Sequence, residues 1–242
     1  MIVAAGRLQG FDPDPCSPCA APARPLKPAL AHSIRRVAMT NSSHWDSVYQ
    51  SKPANAVSWY APHLRESLRY VAEASTRKDA AIIDVGGGES TLVDDLLHAG
   101  HDNITVLDIS ATVLEQTKRR LGSAGRRVKW LAGDLLELEL PECAYDVWHD
   151  RAVFHFLTTA EQRQRYVAQT LKALKPGGFA IVGTFGPEGP EKCSGLPVSR
   201  YSPGELHGSF GQPFELVDSS VEIHTTPSGS TQQFVYCFCL RR

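Results

Sequence analysis

The chain has 242 residues, 42% hydrophobic, 21% charged and 8% aromatic, which is the balance of a globular protein and excludes a disordered, collagenous or coiled-coil chain. Lys plus Arg number 25 against 26 Asp plus Glu, so the net charge of −1 lacks the basic excess expected of a nucleic-acid binder. No apolar run approaches the roughly 20 residues of a membrane span, and six cysteines are too sparse for a disulfide scaffold, so a protein of the reducing cytoplasm is expected.

Residues 1–40 hold six of the 16 prolines and show neither helical nor alternating periodicity. They are expected to form an extension outside the fold, disordered or read from a start upstream of Met39. Arg7, Arg24, Arg35 and Arg36 give it a basic lean, but Asp12, Asp14 and the prolines argue against a targeting helix. Cys16 and Cys19 have C-x-x-C spacing, yet no second pair or His cluster lies near, so no metal is expected. Residues 41–242 form the candidate domain.

In that domain Pro62 suits a first helical position, and Leu64, Leu68 and Val71 follow at helical spacing. Residues 80–85 read as a buried strand running into glycines, with Leu92, Leu96 and Leu97 marking a helix behind it. Residues 104–109 predict a second strand; Val113, Thr117 and Leu121 a helix; residues 128–131 a third strand and 145–148 a fourth. Thr159-Ala160-Glu161-Gln162 has the form of a capping box. It opens a helix whose inner face carries Tyr166, Thr170, Leu171 and Leu174, until Pro176-Gly177-Gly178 stops it. Residues 179–185 follow as a fifth strand, residues 186–203 as a Gly/Pro-rich loop and residues 203–209 as a short helix. Residues 214–224 and 232–240 flank a turn with Pro227 and Gly229, so they should pair as an antiparallel hairpin. The expected fold is α/β: a doubly wound, mostly parallel seven-stranded sheet with a C-terminal antiparallel hairpin and helices on both faces.

The most informative stretch is Ile82-Ile83-Asp84-Val85-Gly86-Gly87-Gly88-Glu89-Ser90. A strand that ends in glycines and turns into a helix lets a ligand approach bare backbone at the strand ends. Thr91 stands where a dinucleotide fingerprint needs its third small residue, which argues against a nicotinamide dehydrogenase. Asp108 ends the second strand, twenty positions after Gly88, where a carboxylate can take both hydroxyls of a ribose.

With these residues in place the chain resembles the class I S-adenosylmethionine-dependent methyltransferases over residues 44–242. Asp84-Val85-Gly86-Gly87-Gly88 resembles that family's first motif, and Asp108 in Val106-Leu107-Asp108-Ile109-Ser110 its ribose-binding acid. Gly133-Asp134-Leu135 is similar to its adenine-contacting segment, Asp146-Val147-Trp148-His149-Asp150 to its fourth-strand motif, and Leu174-Lys175-Pro176-Gly177-Gly178 to the loop before strand five. The resemblance implies S-adenosylmethionine as cofactor, held by Tyr49, Asp84, Gly86, Gly87, Gly88, Asp108, Ile109, Asp134 and Leu135. Glu89 departs from the family, where small residues are usual, and is expected to face solvent or cap the following helix.

Methyl transfer from a sulfonium is an in-line displacement, so the protein must align donor and acceptor and exclude water. Trp45, Tyr49, Trp59 and Tyr60 cluster ahead of the first strand, where this family builds a lid, and their faces suit cation–π contact. Asp150-Arg151-Ala152 is similar to the Asp-Arg pair of thiol and thiopurine methyltransferases, and to a related pair in small lysine methyltransferases of the seven-strand class. Arg151 could hold an anionic acceptor or favour a thiolate, while His155 could take a proton near neutral pH. Asp150 and Arg151 could equally be an ion pair that serves structure alone. Cys193, His224 and Gln232 are candidates to close the acceptor pocket from the C-terminal side. The expected acceptor is a small molecule, a thiol or related soft nucleophile first. A protein lysine and a catalytically silent, cofactor- or partner-binding module are the alternatives.

Overall fold

Strands whose two faces are both apolar need cover on both sides, and the helices of this chain supply it. The computed structural model describes residues 42–242, so the expectations for residues 1–40, Cys16 and Cys19 included, lie outside the described residues. In chain order the elements are α1 (Ser42–Ser51), α2 (Arg65–Ala74), β1 (Ile82–Val85), α3 (Leu92–His98), β2 (Ile104–Asp108), α4 (Ala111–Leu121), β3 (Val128–Ala132) and β4 (Tyr145–Arg151). They continue as α5 (Ala160–Ala173), β5 (Leu174–Phe185), β6 (Lys192–Cys193), β7 (Leu196–Pro197), α6 (Pro203–Phe210), β8 (Phe214–Thr225) and β9 (Thr231–Arg241). The large sheet runs β3-β2-β1-β4-β5-β9-β8, parallel up to β5, with β9 and β8 antiparallel. The β6–β7 pair is a small hairpin in the loop before α6.

Alternation along the strands sorts the core into two layers. Ile82, Val106, Val147, Ile181 and Phe238 pack with Tyr70 and Val71 of α2, Leu92 and Leu96 of α3, and Val113 of α4. Ile83, Val85, Trp148, Val182 and Val235 pack on the other face with Tyr166 of α5 and Leu206 of α6. The sheet changes winding direction between β1 and β4, and the C-terminal ends of those two strands open the crevice where open α/β sheets bind ligands.

Helix α1 and the β6–β7 hairpin were not expected, the latter lying in residues read as a loop, and three expected elements differ in their bounds. Helix α2 begins at Arg65, not Pro62, because Leu64, with a non-helical ψ of 80°, stands at the N-cap. Strand β4 runs on to Arg151, so His149, Asp150 and Arg151 are ladder residues with alternating faces rather than a loop. Leu174 opens β5, opposite Tyr145, instead of closing α5; a register shift then absorbs Pro176-Gly177-Gly178, with Gly177 at φ +77°. The capping box at Thr159 and Gln162 forms as expected, each side chain taking up the other's backbone N–H.

Candidate active site

Two adjoining chambers lie over the ends of β1, β2 and β4. The larger, about 740 Å³, is lined by Trp45, Tyr49, Trp59, Gly86, Asp108, Ile109, Gly133, Asp134, Leu135, Arg151, Ala152, Val153, Phe156 and Cys193. The smaller, about 480 Å³, shares Tyr49, Trp59, Gly86 and Arg151 and adds Tyr60, Asp84, Gly87, Glu89 and His149. Both volumes include space that is open to solvent.

The glycines make room for this geometry. A Cβ on Gly86, at φ +68°, would lie 2.0 Å from Cγ2 of Val153, and one on Gly88 would lie 2.8 Å from the Tyr49 hydroxyl and 3.0 Å from Oδ2 of Asp108. Bare backbone therefore runs between the lid and the acids. Asp108 is 4% exposed, and its Oδ1 accepts the Ser110 N–H at 2.9 Å. Burial pushes its pKa up to about 7, against the lowering effect of the Ser110 and Gly88 N–H groups. With Oδ1 bonded to the Ser110 N–H, it has acceptor capacity left for hydroxyl donors. Asp134 accepts Leu136 N–H at 2.9 Å, which fixes its loop beside Leu135.

Asp84 shares the α2–α3 face with Ile82, and β4 places His149 directly opposite it. A carboxylate only accepts, so His149 donates from Nδ1 to Asp84 at 2.7 Å, and its Nε2 meets the Ser67 hydroxyl of α2 at 2.8 Å. The second oxygen of Asp84, Oδ2, is buried with no hydrogen-bond partner among the described residues. Neither His149 nor Ser67 was singled out in the sequence. The signal for His149 was its position two residues after Val147 on a strand longer than expected.

Arg151 lies two residues beyond His149 on the same face. It donates from Nε to the Tyr236 hydroxyl and from Nη1 to the carbonyl of Trp59, each at 3.0 Å. Its guanidinium stands 4.1 Å from the centre of the Phe234 ring, and its Nη2 lies 3.7 Å from Glu222. Arg151, Gly183 and Tyr236 align across β4, β5 and β9. A Cβ on Gly183 would come within 2.8 Å of the Tyr236 ring, so the missing side chain is what lets Tyr236 reach the arginine. The next residue, Ala152, has φ +74°, a strained conformation for a side-chain-bearing residue, where the chain turns out of the sheet into the chamber wall.

The lid is aromatic. Helix α1 carries Trp45 and Tyr49 one turn apart, with ring centroids 6.1 Å from each other, and Trp59 sits 6.1 and 6.4 Å from them. Phe156, at 5.2 Å from Trp45, closes the cluster from below. Tyr60 faces the smaller chamber alone.

Other expected residues stand elsewhere. Asp150 does not touch Arg151; it points to the opposite face, where it accepts from Val153 N–H, Phe154 N–H and the Tyr166 hydroxyl at 2.9, 3.1 and 2.6 Å. Burial raises its pKa to about 6, offset by these donors, and its role is to cap the turn after β4. His155 is enclosed behind the wall between Phe156 and Phe185, ring centroids 4.5 Å away on each side. Burial, helped by the charge of Arg151, lowers its pKa to about 3, so it stays neutral and takes no proton near neutral pH. Cys193 does reach the larger chamber, but burial pushes its thiol up to about 12. His224 meets the Ser58 carbonyl at 2.9 Å and pairs with Gln232 across the β8–β9 hairpin; neither lines a chamber. Glu89 neither faces bulk solvent nor caps α3: it lines the smaller chamber half-buried, and the Leu92 N–H goes to Ser90 instead.

Residues 82–178 match the sequence model of a methyltransferase domain. The chain is 26% identical over 144 residues to an eEF1A lysine and N-terminal methyltransferase of Mus musculus, covering 57% of this chain but only 20% of that protein. Among solved structures, one concerned with converting a disulfide bond into a thioacetal group during echinomycin biosynthesis superposes with TM-score 0.68 at 17% identity, over 83% of this chain and 92% of that one. Another is the Burkholderia thailandensis 1,6-didemethyltoxoflavin-N1-methyltransferase with its toxoflavin precursor and S-adenosylhomocysteine bound, with TM-score 0.59 and 19% identity over 83% and 84% of the two chains.

Proposed function

We propose that this chain, which belongs to the class I S-adenosylmethionine-dependent methyltransferases, transfers a methyl group to a small-molecule acceptor, a thiol or related soft nucleophile. The observation that carries the reading is the two-chamber cleft: acids and bare backbone on one side, an aromatic lid and Arg151 on the other. S-adenosylmethionine, when bound, supplies a methyl group activated by the sulfonium charge.

The residues fit that group on three counts. Asp108 has open acceptor capacity for the ribose hydroxyls, Asp84 Oδ2 is an orphaned acceptor suited to an amino group, and the space over Gly86 and Gly88 is one a Cβ would fill. Asp134, Ile109 and Leu135 would flank the adenine. Tyr49 sits over the glycines and would hold the lid against the donor, while Trp45, Trp59 and Phe156 exclude water from the transfer. Above about pH 7, where Asp108 is ionised, its bonds to O–H donors are charge-assisted, which makes it the sensitive anchor.

The sulfur chemistry of the echinomycin structure and the heteroaromatic acceptor of the toxoflavin enzyme support a small acceptor. A second reading, methylation of a protein lysine, draws on the murine relative named for eEF1A lysine and N-terminal methylation. One experiment separates them. The protein is incubated with methyl-labelled S-adenosylmethionine and a cell extract split into small-molecule and macromolecular fractions. Label in the small-molecule or volatile fraction is the expected result, whereas label on a single protein band makes this a lysine or other protein methyltransferase.

A further inference from the structure

Resting on the methyltransferase reading above, we propose that the acceptor enters the larger chamber already ionised, as a carboxylate or thiolate on an aromatic or apolar body, with Arg151 as its counter-charge. The first reason is the state of the guanidinium. It is 9% exposed, anchored by Tyr236, the Trp59 carbonyl and the Phe234 ring, and ion-paired at 3.7 Å with Glu222, which also accepts from the Tyr236 hydroxyl at 3.2 Å, yet Nη2 makes no hydrogen bond to any described residue. A buried N–H group with no acceptor is costly, and an anion in the chamber would complete it beside the weak pair with Glu222. Its field reaches outward: it works against protonation of His155 and His224 and favours the thiolate of Cys193.

The second reason is that, among the described residues, no free base for a neutral or cationic acceptor lines this end of the chamber, Glu222 being held by Arg151 and Tyr236. His155 is enclosed and neutral, Cys193 stays protonated, and His149 is committed to Asp84 and Ser67. Asp108 stands on β2, two strands from β4 and so roughly 10 Å away. An acceptor that arrives ionised needs none of them. Its oxygen or sulfur forms the bond to the methyl carbon as the carbon–sulfonium bond breaks; one negative and one positive charge vanish, and no proton moves. The products are a methyl ester or methyl thioether and S-adenosylhomocysteine. A lysine ammonium in the same place would meet the guanidinium charge at close range and still have a proton to lose. Third, Trp45, Trp59 and Phe156 line the same chamber as Arg151 and offer flat apolar faces to the body of the ligand.

The test uses the full chain and binding alone. S-adenosylhomocysteine is first titrated by calorimetry, and then benzoate, thiophenolate, benzyl alcohol and benzylamine are titrated into the loaded protein. At least one of the two anions should bind tenfold or more tighter than both the alcohol and the amine, and which anion wins tells a carboxylate acceptor from a thiolate. Arg151→Gln should erase the preference while S-adenosylhomocysteine affinity changes less than threefold. Binding of benzylamine as tight as that of the anions, binding of none of the four, or a preference that survives Arg151→Gln overturns the inference. If the variant does not fold, the ranking on the natural chain still decides. Absence of S-adenosylhomocysteine binding is a distinct failure, since it removes the methyltransferase reading and the inference together.

Discussion

Replacing Asp108 by Asn should make the protein more stable and worse at binding S-adenosylhomocysteine, two effects of opposite sign from one atom. The carboxylate is buried beside Ser110 with no cation against it, and its pKa stands at about 7. An unfolded Asp titrates near 3.9, so ionising Asp108 in the fold costs roughly three pKa units, on the order of 4 kcal/mol. The sign follows from proton counting: between about pH 4 and pH 7 the folded state binds the proton that the unfolded state has released, so this group's contribution to stability falls as pH rises through that window and is level above it. Asn keeps an oxygen for the Ser110 N–H and carries no charge. After the desolvation of its amide, a gain of about 1–3 kcal/mol at pH 8 is expected, which is several degrees in Tm for a domain of this size, shrinking toward zero at pH 4. The same change removes the charge that strengthens hydrogen bonds from a diol, worth about 2–4 kcal/mol, or roughly 30- to 1,000-fold in Kd. Thermal melts of the free protein at pH 4 and 8, with calorimetric titration of S-adenosylhomocysteine, read both effects. An Asn variant that melts lower than the natural protein at pH 8, or that binds with unchanged Kd, refutes the placement of Asp108 as an unpaired anchor for hydroxyl donors.

Other expectations follow from the same geometry. Gly86→Ala should abolish S-adenosylhomocysteine binding or the fold, because its Cβ would lie 2.0 Å from Val153 at a left-handed φ of +68°; calorimetry on a variant that keeps its circular dichroism spectrum distinguishes the two. Tyr166→Phe removes the hydroxyl that donates to Asp150 at 2.6 Å and accepts from Trp148 Nε1 at 2.9 Å, so urea unfolding should show a loss of about 1–3 kcal/mol, with ligand affinity unchanged. His155 has a pKa lowered to about 3 against about 6.5 unfolded, so it contributes a loss of stability as pH falls from about 6.5 to 3. His155→Phe, between two phenylalanine rings, should remove that acid sensitivity, seen as a smaller drop in Tm between pH 7 and pH 5.

The repeating pattern of the sequence determined much of this protein by itself. Apolar runs bounded by glycine, proline and capping residues have local causes, so the order of the large-sheet strands and of the helices from α2 onward, the terminal hairpin and the Thr159 box were legible, whereas α1 and the β6–β7 pair were not. Acids and glycines at strand ends carry their meaning in the chain's own spacing. What tertiary structure alone decided is the surroundings of Asp150, Arg151 and His155. Whether Asp150 and Arg151 pair depended on β4 running three residues beyond its apolar core, since alternation then sends neighbours to opposite faces. His155 looked available until the fold enclosed it, because burial is a property of what packs around a side chain and not of its neighbours in sequence. The partners of Arg151 come from 85 positions downstream at Tyr236 and from the backbone of Trp59 on the lid, and Ser67 reaches His149 across 82 positions. Contacts of that length are set by strand register and helix packing, which no local pattern encodes.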